Sequence, residues 1–350
     1  MVISRTPFRI SFVGGGTDYP VWFRQHGGAV LATTIDKYCY LSCRYLPPFF
    51  KHRTRVVWSQ IEEVNDRADI RHPAVRAVLE WLDIKEGVEI HHVGDLPART
   101  GLGSSSSFTV GLLHAMLALQ GMMSNKRKLA SDAIYIEQER LKEHVGCQDQ
   151  VTTAFGGFNR VDFEANGNFR VSPVIMTEER RELFQQHLMI FFTGISRTAS
   201  EIAAAQIKAT QSKTRELTAI SQSVDEAIRI LAGDEDLSAF GELLHDNWQL
   251  KKSLTDRVTT PRIDAIYEAA RRAGATGGKL LGAGGGGFIL FFVGLEHQSR
   301  VKEALKELLH VPFRFEPYGS QIILYESSPP ERHVQQSVLE KEAALSSEPV

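Results

Sequence analysis

The chain has 350 residues, enough for two domains of about 150 residues each. Apolar residues make up 43% and charged residues 23%, which excludes a disordered, collagen-like or coiled-coil protein. The formal net charge of −2 leaves no basic surplus for general nucleic-acid binding. Glycine is the unusual feature, because many of the 28 glycines lie in a few clusters where backbone can turn tightly or approach a ligand.

The near-neutral charge predicts no nucleic-acid partner, and the cysteine content and apolar runs predict a cytoplasmic protein without a membrane partner. The apolar stretch 288–293 is far shorter than the roughly 20 residues of a membrane-spanning helix. The three cysteines, Cys39, Cys43 and Cys147, are too few for a disulfide framework and lack the clustered histidines of a zinc site. We expect them to be buried, reduced thiols.

The predicted elements alternate between strand and helix in the first half of the chain. Strands are predicted over 2–13, 30–46 and 88–93, helices over 73–82, 104–120 and 128–144, and hairpin strands up to about 174. The helix over 104–120 is apolar on most faces, so we expect it to be central and buried.

The second half is more helical. Strands are predicted over 187–192, 288–293 and 321–325, and helices over 199–231, 237–250, 261–274 and 298–309. We predict an α+β protein with one domain at 1–170, a second at 171–326, and a mobile tail at 327–350.

The first glycine cluster ends the first predicted strand. Gly14, Gly15 and Gly16 are followed by Thr17 and Asp18. The glycines would let a polar ligand approach, and a carboxylate suits paired sugar hydroxyls. The alternative is a tight turn with a solvent-facing aspartate, which these residues alone favour.

The second cluster, Gly101 and Gly103, precedes four serines, 104–107, at the start of a helix. The unpaired N–H groups and positive dipole end of a helix N-terminus hold phosphate. A P-loop is excluded because its Gly-Lys-Ser/Thr ending is absent. Serine capping is the alternative, but four serines exceed what a cap needs, so phosphate binding is favoured.

The third cluster, 282–287, formally matches the Gly-x-Gly-x-x-Gly pattern of dinucleotide-binding proteins. That pattern needs a strand before it and a helix after it, whereas here we predict a helix before it and a strand after it. We interpret it as a backbone surface packed against a ligand or another loop. Glu137, Glu139 and Asp149, on or just past a helix, are candidate oxygen ligands for Mg²⁺.

In order and spacing, the three clusters resemble the motifs of the GHMP kinases. The segment Pro97-x-x-x-Gly-Leu-Gly-Ser-Ser is similar to the family's ATP signature, with Ser106 and Ser107 where alanine is usual. Residues 146–150 resemble the segment with the catalytic aspartate, and 279–287 resemble the third motif. The resemblance covers about residues 3–325. It implies an N-terminal ribosomal-protein-like βαβ domain and a C-terminal ferredoxin-like α/β sandwich.

The resemblance also implies the roles of the motif residues, with ATP and Mg²⁺ as cofactors. Asp149 accepts or orients the proton of the sugar hydroxyl, and Arg9 steadies charge on the transferring phosphoryl group. ATP phosphates are bound by the backbone of Gly101, Leu102, Gly103, Ser104, Ser105 and Ser106. Mg²⁺ is bound by Ser105 and Glu137, with Glu139 as the fallback. The sugar is bound by Asp18, Gly15, Gly16 and Thr17, beside Gly284 and Gly285.

Within the family, the Gly-Gly-Gly-Thr-Asp-Tyr segment is most similar to the D-glycero-D-manno-heptose 7-phosphate kinases of the sugar-kinase branch. This implies phosphorylation of the anomeric hydroxyl to give the 1,7-bisphosphate, on the route to GDP-heptose and surface polysaccharides. The second phosphate of such a substrate needs cations, for which Arg197 is the first candidate, ahead of Lys37 and Lys208.

Three alternative functions stay open: another sugar 1-kinase acting on fucose or galactose, a non-catalytic sensor of sugar and ATP, and an ATP-dependent decarboxylase of the isoprenoid branch. The expected partners are ATP and a small sugar phosphate, with a monomer or a homodimer equally compatible with the sequence. Trp58 is a candidate for stacking on adenine, although core packing explains it at least as well.

Overall fold

The computed structural model describes residues 1–47, 49–195 and 199–326. Within them, nine strands form one large sheet. The long strands β1 (Val2–Val13) and β2 (Gly28–Tyr45) pair antiparallel, and α1 (Pro20–His26) connects them. The other strands of the first half are β3 (Thr54–Val57), β4 (Ile61–Val64), β5 (Val88–Gly94), β6 (Phe158–Phe163) and β7 (Phe169–Pro173).

The helix α3 (Ser104–Leu119) packs against β1 and β2. Nearly all of its residues from Ser106 onward are buried, which confirms the predicted central helix. It is flanked by α2 (Pro73–Trp81), α4 (Lys126–Tyr135) and α5 (Gln148–Phe155). The three cysteines are free and buried, as predicted.

The helix predicted over 128–144 is shorter than expected. After α4 the chain makes a π-helical turn, Ile136–Arg140, which ends the regular helix. Turns of this kind are rare and frequently mark functional sites. Here the turn buries Glu137 completely, while Glu139 stays exposed and pairs with Lys142.

The second half is built on a four-stranded antiparallel sheet of β8 (Leu188–Phe192), β9 (Ala275–Leu280), β10 (Phe288–Val293) and β11 (Leu309–Val311). Their spatial order β11-β8-β10-β9 is the ferredoxin-like order implied by the resemblance. The helices of this half are α6 (Glu178–Gln186), α7 (Ala199–Ala209), α8 (Thr214–Ala232), α9 (Ser238–Lys252), α10 (Pro261–Ala273) and α11 (Gln298–Ala304).

Three predictions for this half are corrected. The helix predicted over 199–231 is divided by a 3₁₀ turn at Thr210–Ser212. The helix predicted over 298–309 ends at Ala304. The third glycine cluster follows a strand, β9, and therefore joins two strands of a hairpin. This strand was not predicted because Gly277 interrupts the pattern of strand-forming residues. A glycine is needed there, since a Cβ would lie 1.8 Å from the carbonyl oxygen of Gly241 on α9.

The end of the described chain returns to the large sheet. Here β12 (Phe315–Glu316) pairs with β2, and β13 (Gln321–Tyr325) pairs with β1. The division into domains at 170 stays a prediction, and the predicted tail at 327–350 lies outside the described residues. Among the described helices, none has the length and apolar character needed to cross a membrane.

Candidate active site

The centre of the site is an ion pair between Arg9 on β1 and Asp149 in the first turn of α5. Arg9 Nε and Nη2 donate to the two carboxylate oxygens at 2.7 and 2.6 Å, a bidentate geometry. Arg9 Nη1 donates to the carbonyl oxygen of Gly101 at 2.7 Å. The Arg9 side chain is 3% exposed and that of Asp149 is 26% exposed, so a ligand can reach the carboxylate.

The second glycine cluster lies directly against this pair. Gly103 is the N-cap of α3 with φ of 75°, and a Cβ there would lie 3.0 Å from Arg9 Cγ. Gly101 has φ of 85°, and its Cβ would lie 2.3 Å from the carbonyl oxygen of Leu281. The N-terminal end of α3, with its unpaired N–H groups, is thereby held beside Arg9 and Asp149.

The four serines of α3 make different contacts. Ser104 Oγ accepts a hydrogen bond from the backbone N–H of Arg99, and Ser107 Oγ contacts the carbonyl oxygens of Pro7 and Gly103. Ser106 Oγ donates to Glu137 at 3.0 Å, whereas Ser105 is exposed. Ser106 therefore contacts Glu137 directly, while Ser105 points about 100° away around the helix, and its predicted role in binding Mg²⁺ stays a prediction.

Glu137 is a fully buried carboxylate. One oxygen, Oε2, accepts hydrogen bonds from Ser106 and from Gln150, while Oε1 is buried and has no hydrogen-bond partner in the described part of the chain. Burial raises the pKa of Glu137 to about 8, and the nearby Glu143 adds to the shift. A buried carboxylate oxygen without a partner is destabilising unless a proton or a cation neutralises it.

The chemistry of Glu137 and Ser106 fits Mg²⁺, which takes hard oxygen ligands and often only one or two from protein. In the described part of the chain, no group of three or more His, Cys, Asp or Glu side chains could hold a metal ion. Waters and phosphate oxygens would therefore have to complete the coordination.

The first glycine cluster follows β1 in the chain, and Asp18 just after it contacts the start of α5. Asp18 is buried, and its carboxylate accepts hydrogen bonds from the backbone N–H groups of Gly16 at 3.0 Å and Gln148 at 3.3 Å. Burial, together with the charge of Asp149, raises the pKa of Asp18 above its usual range.

Thr17 was predicted to bind the sugar, but its side chain is fully buried. Its hydroxyl contacts the carbonyl oxygens of Gly14 and Ala29, so Thr17 stabilises the turn instead.

The hairpin loop 281–287 packs against residues 101–103, which we call the phosphate loop after their predicted role, as the interpretation of a backbone surface requires. A Cβ on Gly282 would lie 2.5 Å from Gly101 Cα. Gly284 and Gly285, predicted to bind substrate, belong to the same loop, and their contacts are with Val258. Gly284 contacts the backbone of Val258, and the Gly285 N–H donates to the Val258 carbonyl oxygen at 2.9 Å, so that N–H is not free for a ligand.

Two buried lysines of the second half were not predicted as site residues. Lys279 donates to the carbonyl oxygens of Ser11 and Phe12, each at 2.8 Å. Lys251, at the end of α9, donates to the carbonyl oxygen of Gly282 at 2.6 Å. The sequence did contain a signal for Lys251, since it follows the buried Trp248 by three residues and therefore shares its helix face.

The remaining predicted candidates are Arg197, Lys37, Lys208 and Trp58. Arg197 lies outside the described residues. Lys37 pairs with Asp36 at 3.0 Å, and Lys208 is exposed. Trp58 donates its indole N–H to Glu62 at 2.9 Å and packs on the core, which supports the structural interpretation.

The contact between the two glycine loops predicts the effect of Gly101→Ala. The added Cβ would clash with a backbone oxygen at 2.3 Å as well as straining a positive φ, so we expect a large loss of both stability and activity. Gly121→Ala is the matched control, because Gly121 has φ of 75° and open space around its Cβ position. Thermal denaturation should show a decrease for Gly101→Ala well beyond the control. If the melting temperature decreased equally in both variants, the loss of stability would come from the strained backbone conformation and not from the contact between the loops.

Comparison with known proteins agrees with this geometry. Two sequence profiles match, that of the GHMP kinase N-terminal domain at residues 70–157 and that of the C-terminal domain at 224–311. Together they cover half of the chain, which therefore belongs to the GHMP kinases. It is an ATP-dependent kinase with the fold of that family.

Individual relatives are more distant. A protein of Campylobacter jejuni described as D-glycero-alpha-D-manno-heptose 7-phosphate kinase is 26% identical over 321 residues, covering 87% of this chain and 93% of that protein. A mevalonate kinase of Pyrococcus horikoshii is 28% identical over 67% of each chain. The crystal structure of a D-glycero-D-manno-heptose 1-phosphate kinase from Bacteroides thetaiotaomicron superposes with a TM-score of 0.76 at 24% identity, over 93% of this chain and all of that one. This last match is a likeness of fold.

Proposed function

We propose that this protein phosphorylates the anomeric hydroxyl of D-glycero-D-manno-heptose 7-phosphate with ATP, giving the 1,7-bisphosphate. The observation that carries the proposal is the bidentate pair of Arg9 and Asp149. Arg9 also donates to Gly101 of the phosphate loop, and Gln148, next to Asp149, donates to Asp18, which follows the first glycine cluster. The Campylobacter jejuni relative, which matches along nearly its whole length, supports the choice of sugar.

In the proposed reaction the sugar hydroxyl oxygen attacks the γ-phosphorus of ATP. An oxygen–phosphorus bond forms as the bond from the γ-phosphorus to the β–γ bridging oxygen breaks, and ADP leaves. Asp149 receives the hydroxyl proton, and Arg9 orients that carboxylate and stabilises charge on the phosphoryl group. Backbone N–H groups at the start of α3 bind the phosphates. Ser106 and Glu137 would hold Mg²⁺, which when bound neutralises phosphate charge.

A small depression beside Gly16, with room for about one water molecule, lies next to the proposed sugar side of the site. Its lining includes Tyr19, Gln206 and Thr210, and Lys213 contributes a cation that also pairs with Glu216 at 2.9 Å. Lys213 therefore joins Arg197 as a candidate ligand of the distal phosphate.

The main alternative concerns the position of the phosphate. The Campylobacter jejuni relative is described as acting on a 7-phosphate, and the Bacteroides thetaiotaomicron protein is described as a 1-phosphate kinase. With a 1-phosphate the anomeric oxygen is already occupied, so another hydroxyl would have to be the acceptor.

A panel of acceptors tests the proposal. It comprises heptose 7-phosphate, heptose 1-phosphate, unphosphorylated heptose, fucose, galactose and mevalonate. We expect heptose 7-phosphate to exceed the unphosphorylated sugars in kcat/KM by about 100-fold, because charge-assisted contacts to the second phosphate are lost with them. Phosphorus NMR of the product should show a new anomeric phosphate. A preference for heptose 1-phosphate or an unphosphorylated sugar would contradict the proposal, and binding of sugar and ATP without turnover would indicate a sensor.

A further inference from the structure

The two buried lysines of the site are bonded differently. An ammonium group has three N–H donors. Lys279 uses two of them on the carbonyl oxygens of Ser11 and Phe12, which ties β9 to β1. Lys251 has one hydrogen-bond partner among the described residues, the carbonyl oxygen of Gly282 at 2.6 Å. Its other two donors have no partner in the ranges 1–47, 49–195 and 199–326, although the side chain is almost completely buried.

Lys251 lies where the two halves of the site meet. Gly282, which it contacts, packs on Gly101, and the Gly101 carbonyl oxygen accepts a hydrogen bond from Arg9. Lys251 and Arg9 thus bind adjoining segments of backbone, one from the side of α9 and the other from β1.

The charges around Lys251 are unbalanced. The groups that act on it electrostatically are Arg9, Asp18, Asp149 and Lys279. Arg9 is already paired with Asp149, so Asp18 is the one remaining carboxylate among these groups for two buried lysines. Burial lowers the pKa of Lys251 to about 8, and the charge of Arg9 contributes to that shift. A buried ammonium without a charge partner is costly, which favours an anionic ligand at this position.

We propose that Lys251 is a second catalytic cation of the transfer reaction, whose two remaining N–H donors contact the transferring phosphoryl group from the side of the hairpin loop 281–287. In phosphoryl transfer, negative charge is spread over three equatorial oxygens, and fixed cations aimed at them stabilise the transition state. Lys251 donates no proton in this step, since the hydroxyl proton goes to Asp149. The inference rests on the proposed kinase reaction and on no particular sugar.

Lys251→Met tests the inference, because methionine fills a similar volume without the charge. We expect kcat to decrease by about 100-fold, while the Kd for Mg·ADP changes by no more than about twofold. The control is Lys252→Met on the neighbouring lysine, whose ammonium is 3.4 Å from Asp264 and outside the site. It should keep the kcat of the wild type. A Lys251→Met protein that is folded by circular dichroism and turns over at the rate of the control overturns the inference.

A second measurement is independent of the sugar. Aluminium fluoride with Mg·ADP provides an anion that mimics the transferring phosphoryl group. In the wild type, aluminium fluoride should increase the affinity for ADP. In Lys251→Met this increase should be about 100-fold smaller. If the acceptor panel contradicts heptose 7-phosphate while this effect is observed, the sugar assignment fails and the role of Lys251 stands. Unchanged aluminium fluoride binding in Lys251→Met overturns the role of Lys251 whichever sugar is the substrate.

Lys251→Arg keeps the inference testable if methionine prevents folding. The guanidinium retains its charge at high pH, whereas the wild-type ammonium loses its proton as the pH rises through about 8. At saturating Mg²⁺ we expect the alkaline decrease of kcat/KM to move to higher pH in Lys251→Arg. An alkaline limb identical to that of the wild type contradicts a cationic role for this side chain.

Discussion

Asp149→Asn should lower kcat by about 1,000-fold, which is within the usual contribution of a general base. The amide cannot accept the hydroxyl proton, and its NH₂ group would face one of the two Arg9 nitrogens that now donate at 2.7 and 2.6 Å. The variant therefore has no base, and one of the two hydrogen bonds between Arg9 and residue 149 is lost. Two hydrogen bonds that do not involve Asp149 hold the phosphate loop to Arg9: Arg9 Nη1 donates to the carbonyl oxygen of Gly101, and the Arg9 backbone N–H donates to that of Leu102. ATP binding should therefore change by no more than about twofold.

The chain offers a matched control for this substitution. Asp162 on β6 also pairs with an arginine, Arg160, at 2.7 Å, but it lies outside the site. Asp162→Asn removes a carboxylate charge that is likewise paired with arginine, Arg160 on one oxygen and Arg170 on the other, and should leave kcat close to that of the wild type. Steady-state turnover and binding of a fluorescent ATP analogue would be measured for both variants. If Asp149→Asn also turned over at a near-normal rate, Asp149 could not be the base.

The parts of the site that were predictable from sequence depend on local chemistry. Gly101 and Gly103 adopt positive φ, and the helix after them exposes N–H groups at its start, so a short segment carries the whole signal. The order of the three glycine clusters then sufficed to recognise the family. The ferredoxin-like order of the second sheet came with that resemblance, because periodicity alone does not specify which strands become neighbours.

The parts that were missed depend on packing between distant segments. Strand β9 has no alternating pattern at Gly277 because the backbone of α9 occupies the side-chain position. The contact between Ser106 and Glu137 depends on which side of α3 faces the π-helical turn that carries Glu137. Such facing relations are set by the tertiary fold, so the residue types were predictable while the pairing was not.

Glu137→Gln is expected to abolish the pH dependence of Mg²⁺ binding. Burial raises the pKa of Glu137 from its ordinary value of 4.5 to about 8, so near neutral pH the carboxyl is mostly protonated. Mg²⁺ then has to displace that proton. The apparent affinity for Mg²⁺ should increase by about tenfold per pH unit below pH 8 and level off above it. In Glu137→Gln the affinity should be low at every pH, and kcat at low Mg²⁺ should fall by about 100-fold. Glu139→Gln, on the exposed side of the same turn, should behave like the wild type.

The same titration predicts an effect on stability, with a definite sign. Without Mg²⁺, the folded state binds a proton at Glu137 that the unfolded state releases between about pH 4.5 and 8, so the free energy of unfolding should decrease as the pH rises through this window. Glu137→Gln has no carboxyl to ionise and should lack this contribution. Thermal denaturation in EDTA, at about pH 6 and about pH 9, measures the difference between the two proteins. Added Mg²⁺ should stabilise the wild type most at the higher pH, because the deprotonated carboxylate binds it. If the free energy of unfolding decreased equally with pH in both proteins, the titrating group would lie elsewhere. The main electrostatic argument for a Mg²⁺ site at Ser106 and Glu137 would then fail.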